Sequence, residues 1–142
     1  MKEYKLETIG RKYIALLICV MKADQKIKKE EKKIFLDLIN QLELSKSTIR
    51  WINEMLSNRM KLNIDIILDK IAFGIDEIQL LNFIRDAYFM AMIDGEIDER
   101  EDKVIFNFME KAGLPKNKHK RLKNWAIRQI NNFEKGLHIL ES

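Results

Sequence analysis

The stretch DGEIDERE (residues 94–101) repeats the pattern of DQKIKKEE (residues 24–31), which lies 70 residues earlier in the chain. Asp, Ile and Glu recur at the first, fourth and eighth positions of both stretches. A largely apolar run precedes each stretch, at 14–21 and at 84–93, and an amphipathic run follows each. Self-similarity at a fixed period indicates one structural unit used more than once. The pattern therefore predicts a tandem helix–loop–helix repeat.

The composition favours an all-helical protein. The chain has 142 residues, of which 46% are hydrophobic and 34% charged, with one Pro and five Gly. Helix breakers this scarce argue against a turn-rich β fold, and no segment shows the two-residue period of a strand. We expect an all-α, single-domain orthogonal bundle of about seven helices over 1–142. Repeat one spans about 10–60, a linker helix about 63–74, and repeat two about 76–142.

Apolar residues at helical spacing predict where these helices lie. The predicted ranges are about 3–22, 29–42, 47–60, a short helix from Asn63 to Gly74, 77–93, 99–112, and Pro115 or just after almost to the C-terminus. The first and fifth helices become apolar on all sides in their last turns, which predicts that they pack at the centre. In the last helix a predicted core stripe keeps steps of three or four residues: Leu122, Ala126, Ile130, Phe133, Leu137 and Leu140.

The second stretch specifies a sharp bend followed by a helix start. Gly95 permits a positive φ, and Ile97 can pack back into the core. Asp98 stands where an N-cap belongs, and Glu101, three residues later, completes a capping box. Helix capping alone therefore accounts for these residue types without any ligand.

The same residues also support a cation site. The order Asp-Gly-x-Ile-Asp-x-x-Glu reproduces the second half of an EF-hand loop, ending where a bidentate glutamate would stand. The first half is missing, because Met90 and Met92 occupy the positions of the opening acids and both fit a core. An irregular oxygen site for Ca²⁺ or Mg²⁺ remains open, especially if the two stretches lie close together. Its candidate ligands are Asp94, Glu96, Asp98, Glu101, Asp24 and Glu31.

Two Asp-x-x-Ile-x-x-x-Glu loops after apolar helices, in an all-helical chain of this length, resemble the TerB-like family. That family is named for the tellurite-resistance protein TerB and is related to the N-terminal domain of some membrane-anchored DnaJ-type co-chaperones. The resemblance covers about residues 10–130; the first loop departs from it, with Gln25 where Gly is usual and lysines that dilute its acidity. It implies a seven-helix fold and a non-enzymatic role in stress-response or envelope-associated complexes. It also implies divalent-cation binding that attaches first to Asp94 and Glu101.

A second hypothesis concerns the basic residues. Residues 111–128 carry seven Lys or Arg and no acid, whereas residues 94–102 carry six acids and one Arg. Such a basic stretch could bind nucleic acid or an anionic membrane surface, with Trp125 among its bases. The bases proposed for this role lie within residues 116–128 and are Lys116, Lys118, Lys120, Arg121, Lys123 and Arg128. The alternatives are a solvated face without a ligand, and a scaffold that binds a protein partner or a second copy of the chain.

Other features argue against catalysis. Cys19 lies in an apolar run, so we expect a buried thiol and no disulfide. His119 and His138 lack a His or Cys four residues away, so we expect no zinc site, and His119, amid lysines, is expected to be solvated. Neither a phosphate-binding glycine loop nor a nucleophile elbow is recognisable. With no signal peptide and no apolar run of about 20 residues apparent, we expect a cytoplasmic, non-enzymatic protein without a transmembrane segment.

Overall fold

Helices make up all the regular secondary structure in residues 8–142, the part of the chain that this computed structural model describes. They are α1 (Ile9–Met21), α2 (Lys29–Ile39), α3 (Lys46–Leu56), α4 (Ile64–Ile71), α5 (Glu77–Ala91), α6 (Glu99–Lys111) and α7 (Lys116–Glu141). The expected all-α fold of seven helices is confirmed. The predicted helical residues 3–7 lie outside the described residues, and α1 begins after Thr8, whose side chain caps it. Helices α2, α3 and α5 end two to four residues earlier than their apolar patterns predicted.

The helix boundaries repeat at the interval seen in the sequence. Helices α1 and α5 end 70 residues apart, α2 and α6 begin 70 residues apart, and so do α3 and α7. Each repeat therefore consists of three helices, and α4 joins the two repeats. The repeats differ most in their third helix, because α3 has 11 residues and α7 has 26.

Helices α1 and α5 pack against each other at the centre, as predicted. Every residue of 14–21 is buried, and so are Ile84, Ala87, Tyr88 and Met90 of α5. A helix that is apolar all round must be surrounded, and α1 contacts α2, α3, α4, α5 and α6. Within residues 8–142, none of the helices combines the length and the hydropathy that a bilayer span requires.

The predicted core stripe of α7 is only half correct. Ala126 and Ile130 are buried, whereas Phe133, Leu137 and Leu140 are 59%, 46% and 83% exposed. The reason is length: α7 packs mainly on α5, which has only 15 residues, and α7 extends beyond it. The apolar spacing therefore continues past the point where the protein's own core ends.

His119 is buried, so the expectation of a solvated ring is wrong. Its exposed fraction is 7%, and its Nε2 lies 3.1 Å from the carbonyl oxygen of Leu114. Its ring centroid lies 5.6 Å from that of Phe106 in α6. Its sequence neighbours are lysines, but the helical period turns this position toward α6 while they point elsewhere.

Candidate functional site

The two repeated stretches form the same bend. The Lys22 carbonyl accepts a hydrogen bond from the Gln25 N–H, and the Met92 carbonyl accepts one from the Gly95 N–H, both at 2.8 Å. Gln25 and Gly95 have positive φ values of 67° and 90°. The predicted reversal at Gly95 is therefore confirmed, and the first repeat makes the same turn with a residue other than glycine.

A salt bridge joins the two bends. The Nζ of Lys28, at the start of α2, lies 2.8 Å from Oδ2 of Asp94. Both side chains are substantially exposed, so the pair adds at most about 1 kcal/mol to stability. The salt bridge matters because it shows how the bends are arranged: Asp94, at the beginning of the second bend, lies beside Lys28, at the end of the first.

Asp98 caps α6 as predicted, but Glu101 does not complete the capping box. The Oδ1 of Asp98 accepts hydrogen bonds from the N–H groups of Arg100 at 2.8 Å and Glu101 at 3.4 Å. Among the described residues, no hydrogen bond runs from the Asp98 N–H back to the Glu101 carboxyl group. Glu101 instead hydrogen-bonds to the side chain of Glu31. Capping therefore accounts for Asp98 but not for Glu101.

Glu31 and Glu101 are equivalent positions of the two repeats, and they meet in the interior. They are 3% and 8% exposed. Burial first, and then the contact with Glu31, raise the pKa of Glu101 to about 9, with a further contribution from Asp98 and a smaller opposing one from Lys28. Two carboxylates in contact cannot both be ionised at low cost, so the pair holds a proton or another positive charge.

Of the six predicted ligands, all of which lie within residues 8–142, Glu31 and Glu101 are the two whose side chains contact each other. Asp94 is paired with Lys28, Asp98 caps α6, and Glu96 and Asp24 are exposed. Within residues 8–142, no group of three or more His, Cys, Asp or Glu side chains is placed to hold a metal ion. Carboxylate oxygens are the ligand type that Ca²⁺ and Mg²⁺ prefer, but both ions take six or more oxygens. Water or backbone carbonyls would have to supply the remainder.

The six bases predicted to bind a polyanion differ in their surroundings. The Nζ of Lys123 lies 2.6 Å from Oδ2 of Asp102, so this base is neutralised within the protein. Lys118, Arg121 and Arg128 line a groove beside α7, but Lys116 and Lys120 do not. Of the predicted bases, Lys123 is therefore engaged in an internal ion pair, and Lys118, Arg121 and Arg128 belong to the groove.

Comparison with known proteins agrees with the sequence resemblance. The family model described as Tellurite resistance protein TerB matches residues 11–124, a range that holds both bends and both buried glutamates. Searches of curated proteins and of solved structures found no match. Because the family match spans most of the chain and agrees with the seven-helix fold, the chain belongs to the TerB family.

Proposed function

We propose that this protein is a non-catalytic TerB module in which Glu31 and Glu101 bind a divalent cation, Ca²⁺ or Mg²⁺, where its two repeats meet. The observation that carries the proposal is the direct contact between these two buried side chains. Buried carboxyl groups in contact require a positive charge, which a proton or a cation can supply.

The surroundings of the pair support this proposal. Each glutamate lies in the first turn of a helix, at the same position of its repeat, so two related ligands reach one point from separate elements. Asp94 is held by the exposed Lys28, and breaking such a pair costs at most about 1 kcal/mol. Asp94 could therefore leave Lys28 at low cost and serve as a third carboxylate ligand.

The environments of the two candidate reactive groups support a non-catalytic role. Burial raises the pKa of the Cys19 thiol to about 12, which leaves it protonated and unreactive near neutral pH. The ring of His119 is buried and bonded to a backbone carbonyl. Neither environment suits nucleophilic or acid–base catalysis.

The family description names tellurite resistance. We extend the proposal to a role in tellurite resistance or another stress response, within envelope-associated or other protein complexes. A non-catalytic module would act by binding, and we propose that the cation regulates which partner it holds. Growth in tellurite of a strain lacking the gene, complemented with the wild type or with Glu31→Gln/Glu101→Gln, tests this link. We expect the wild type alone to restore growth. Equal growth with the double variant would mean that the role in tellurite resistance does not depend on the glutamate pair.

Calorimetric titration of the metal-free protein with Ca²⁺ and Mg²⁺ tests cation binding. Near pH 7 the pair holds a proton, since the pKa of Glu101 is about 9, and a cation that replaces it releases that proton. The measured heat should therefore differ between two buffers of unlike ionisation enthalpy, by an amount corresponding to about one proton. Glu101→Gln should abolish the heat, whereas Glu99→Gln, an exposed acid two residues away, should not.

Two outcomes would refute the cation proposal. One is the absence of heat at millimolar metal with a folded protein, as judged by circular dichroism. The other is a heat of unchanged size in Glu101→Gln. In either case the alternative is a scaffold that binds a protein partner or a second copy of the chain, with the glutamate pair holding only a proton.

A further inference from the structure

A groove beside the first half of α7 combines positive charge with an aromatic side chain. It has a volume of about 550 Å³, and its lining holds three bases and no acid. The side chains that matter are Lys118, Arg121 and Arg128, with Trp125 between them and Leu81 on the opposite wall. We propose that this groove, referred to below as the basic groove, binds single-stranded nucleic acid.

The bases of the basic groove are not neutralised by the protein. All three are exposed, and within residues 8–142 none of them takes part in an ion pair. Other bases nearby are neutralised: Lys123 pairs with Asp102, and Lys111 pairs with Asp69 at 2.5 Å. Unpaired charges of one sign along a concave surface focus the field and attract a ligand of the opposite sign.

The spacing of the bases suits a chain of phosphates. Lys118, Arg121, Trp125 and Arg128 follow one another at steps of three or four residues, so they share one face of α7. At a rise of 1.5 Å per residue, the first and last of them lie about 15 Å apart along the helix axis. A row of this length exceeds what one phosphate group needs and matches an extended strand. The polyanion is therefore a polymer rather than a single phosphate.

Trp125 favours a single strand over a duplex or a membrane. Its half-buried ring lines the groove between two of the bases, where an unpaired nucleobase could stack on it. The bases of a duplex are stacked on one another and cannot reach such a ring. A bilayer surface is flat and would not enter a concave groove. The combination of cations that follow a backbone and an aromatic face that accepts any base is typical of sequence-tolerant single-strand binding.

Fluorescence anisotropy with a labelled oligothymidylate of about 15 nucleotides tests the proposal, measured over a series of salt concentrations. Each phosphate neutralised on a single strand contributes about 0.7 to the slope of log K against log salt, so three bases predict a slope of about −2. The double variant Lys118→Gln/Arg121→Gln should reduce the slope to about −0.7 and weaken binding at low salt by at least about tenfold. Trp125→Leu should weaken binding by about fivefold or more without changing the slope, because stacking is insensitive to salt.

The matched control is Lys116→Gln/Lys120→Gln, which removes the same charge from the same helix outside the groove. Its affinity for the oligonucleotide should lie within about twofold of the wild-type value, since charges outside the groove attract the strand during association but do not contact it when bound. A loss equal to that of the groove variant would overturn the proposal, because net charge alone would then explain binding. Binding to phosphatidylglycerol vesicles without binding to the oligonucleotide would also overturn it, as would no anisotropy change at low salt with folded protein.

Discussion

Gln25 and Gly95 occupy the same position of the two bends, and both adopt a positive φ. Gly95 does so without steric cost, whereas the Cβ of Gln25 makes this conformation unfavourable by about 1–2 kcal/mol. The side chain of Gln25 offsets part of that cost. Its Nε2 donates to the Leu62 carbonyl at 3.2 Å, and its Oε1 accepts from the Leu62 N–H at 3.1 Å. The second bend thus forms because glycine tolerates a positive φ at position 95. The first bend is stabilised by the side-chain hydrogen bonds of Gln25.

Gln25→Ala should therefore cost more stability than Gln25→Gly. Both variants lose the two bonds to Leu62, each worth about 0.5–1.5 kcal/mol, but only glycine also relieves the backbone strain. We expect the free energy of unfolding of Gln25→Ala to be about 1 kcal/mol below that of Gln25→Gly in urea denaturation.

Gly95→Ala is the matched control for this comparison. A Cβ at Gly95 would meet no atom within 4 Å, so the whole cost of that variant, about 1–2 kcal/mol, is backbone strain. Equal stabilities of Gln25→Ala and Gln25→Gly would mean that Gln25 is unstrained in solution.

The contact between Glu31 and Glu101 should make stability fall as pH rises. The pKa of Glu101 is raised from its ordinary value of 4.5 to about 9, so between these values the folded state binds a proton that the unfolded chain releases. Stability falls with pH wherever the folded state binds more protons, with a limit of about 1.4 kcal/mol per pH unit for one proton. We expect the urea midpoint, measured with a chelator present, to decrease from about pH 5 to about pH 9.

Glu101→Gln should flatten this dependence, because the amide holds no titrating proton and can still donate to the carboxylate of Glu31. Asp98 and Lys28 also face Glu101, and the contact with Asp94 raises the pKa of Lys28, so Lys28 keeps its positive charge over this range. Glu99→Gln, which removes an exposed acid from the same turn, should keep the wild-type dependence. A wild-type midpoint that does not change between these pH values would contradict a buried carboxyl pair.

Local patterns in the sequence predicted the seven helices, the central pair α1 and α5, and the Asp98 cap, because each depends on residues close together in the chain. The contact of Glu101 with Glu31 and the burial of His119 depend on how separate helices pack. Local spacing assigned Glu101 to a capping box, and only the packing of the two repeats turns it toward its equivalent. The 70-residue equivalence of the two stretches was the signal that placed both glutamates in one candidate cation site, but it did not separate them from the other four acids.

Lys22 and Met92 are a second case in which local spacing does not predict a contact between separate helices. They are equivalent positions, yet only Lys22 lies beside a helix end: its Nζ donates to the carbonyls of Ser57 and Met60, both at 2.6 Å. In the second repeat α7 continues through the equivalent positions, so the carbonyls there are bonded within the helix. The sequence shows Lys in the first repeat and Met in the second. The reason for this difference is that the third helix of the first repeat is shorter than that of the second, and helix length here depends on packing.

Lys22→Met should be strongly destabilising, although methionine fits the space. Lys22 is fully buried, and removing its ammonium group leaves the Met60 carbonyl without this donor and the Ser57 carbonyl with only the Met60 N–H, 3.1 Å away. We expect a loss of about 2–4 kcal/mol in urea denaturation. Lys26→Met, at an exposed lysine of the same bend, should change stability by less than about 0.5 kcal/mol. Similar losses for both variants would mean that Lys22 is not engaged with these carbonyls in solution.

The two ends of the α7 apolar stripe should differ in their contribution to stability. Ile130 is 7% exposed and packs in the core, whereas Leu140 is 83% exposed. Ile130→Ala should therefore cost about 2–4 kcal/mol, because it removes buried methyl groups and leaves a cavity. Leu140→Ala should cost less than about 0.5 kcal/mol, since it removes side-chain atoms already in water. Thermal unfolding at two protein concentrations measures both, and a large, concentration-dependent loss for Leu140→Ala would mean that the stripe is covered in solution by a second chain.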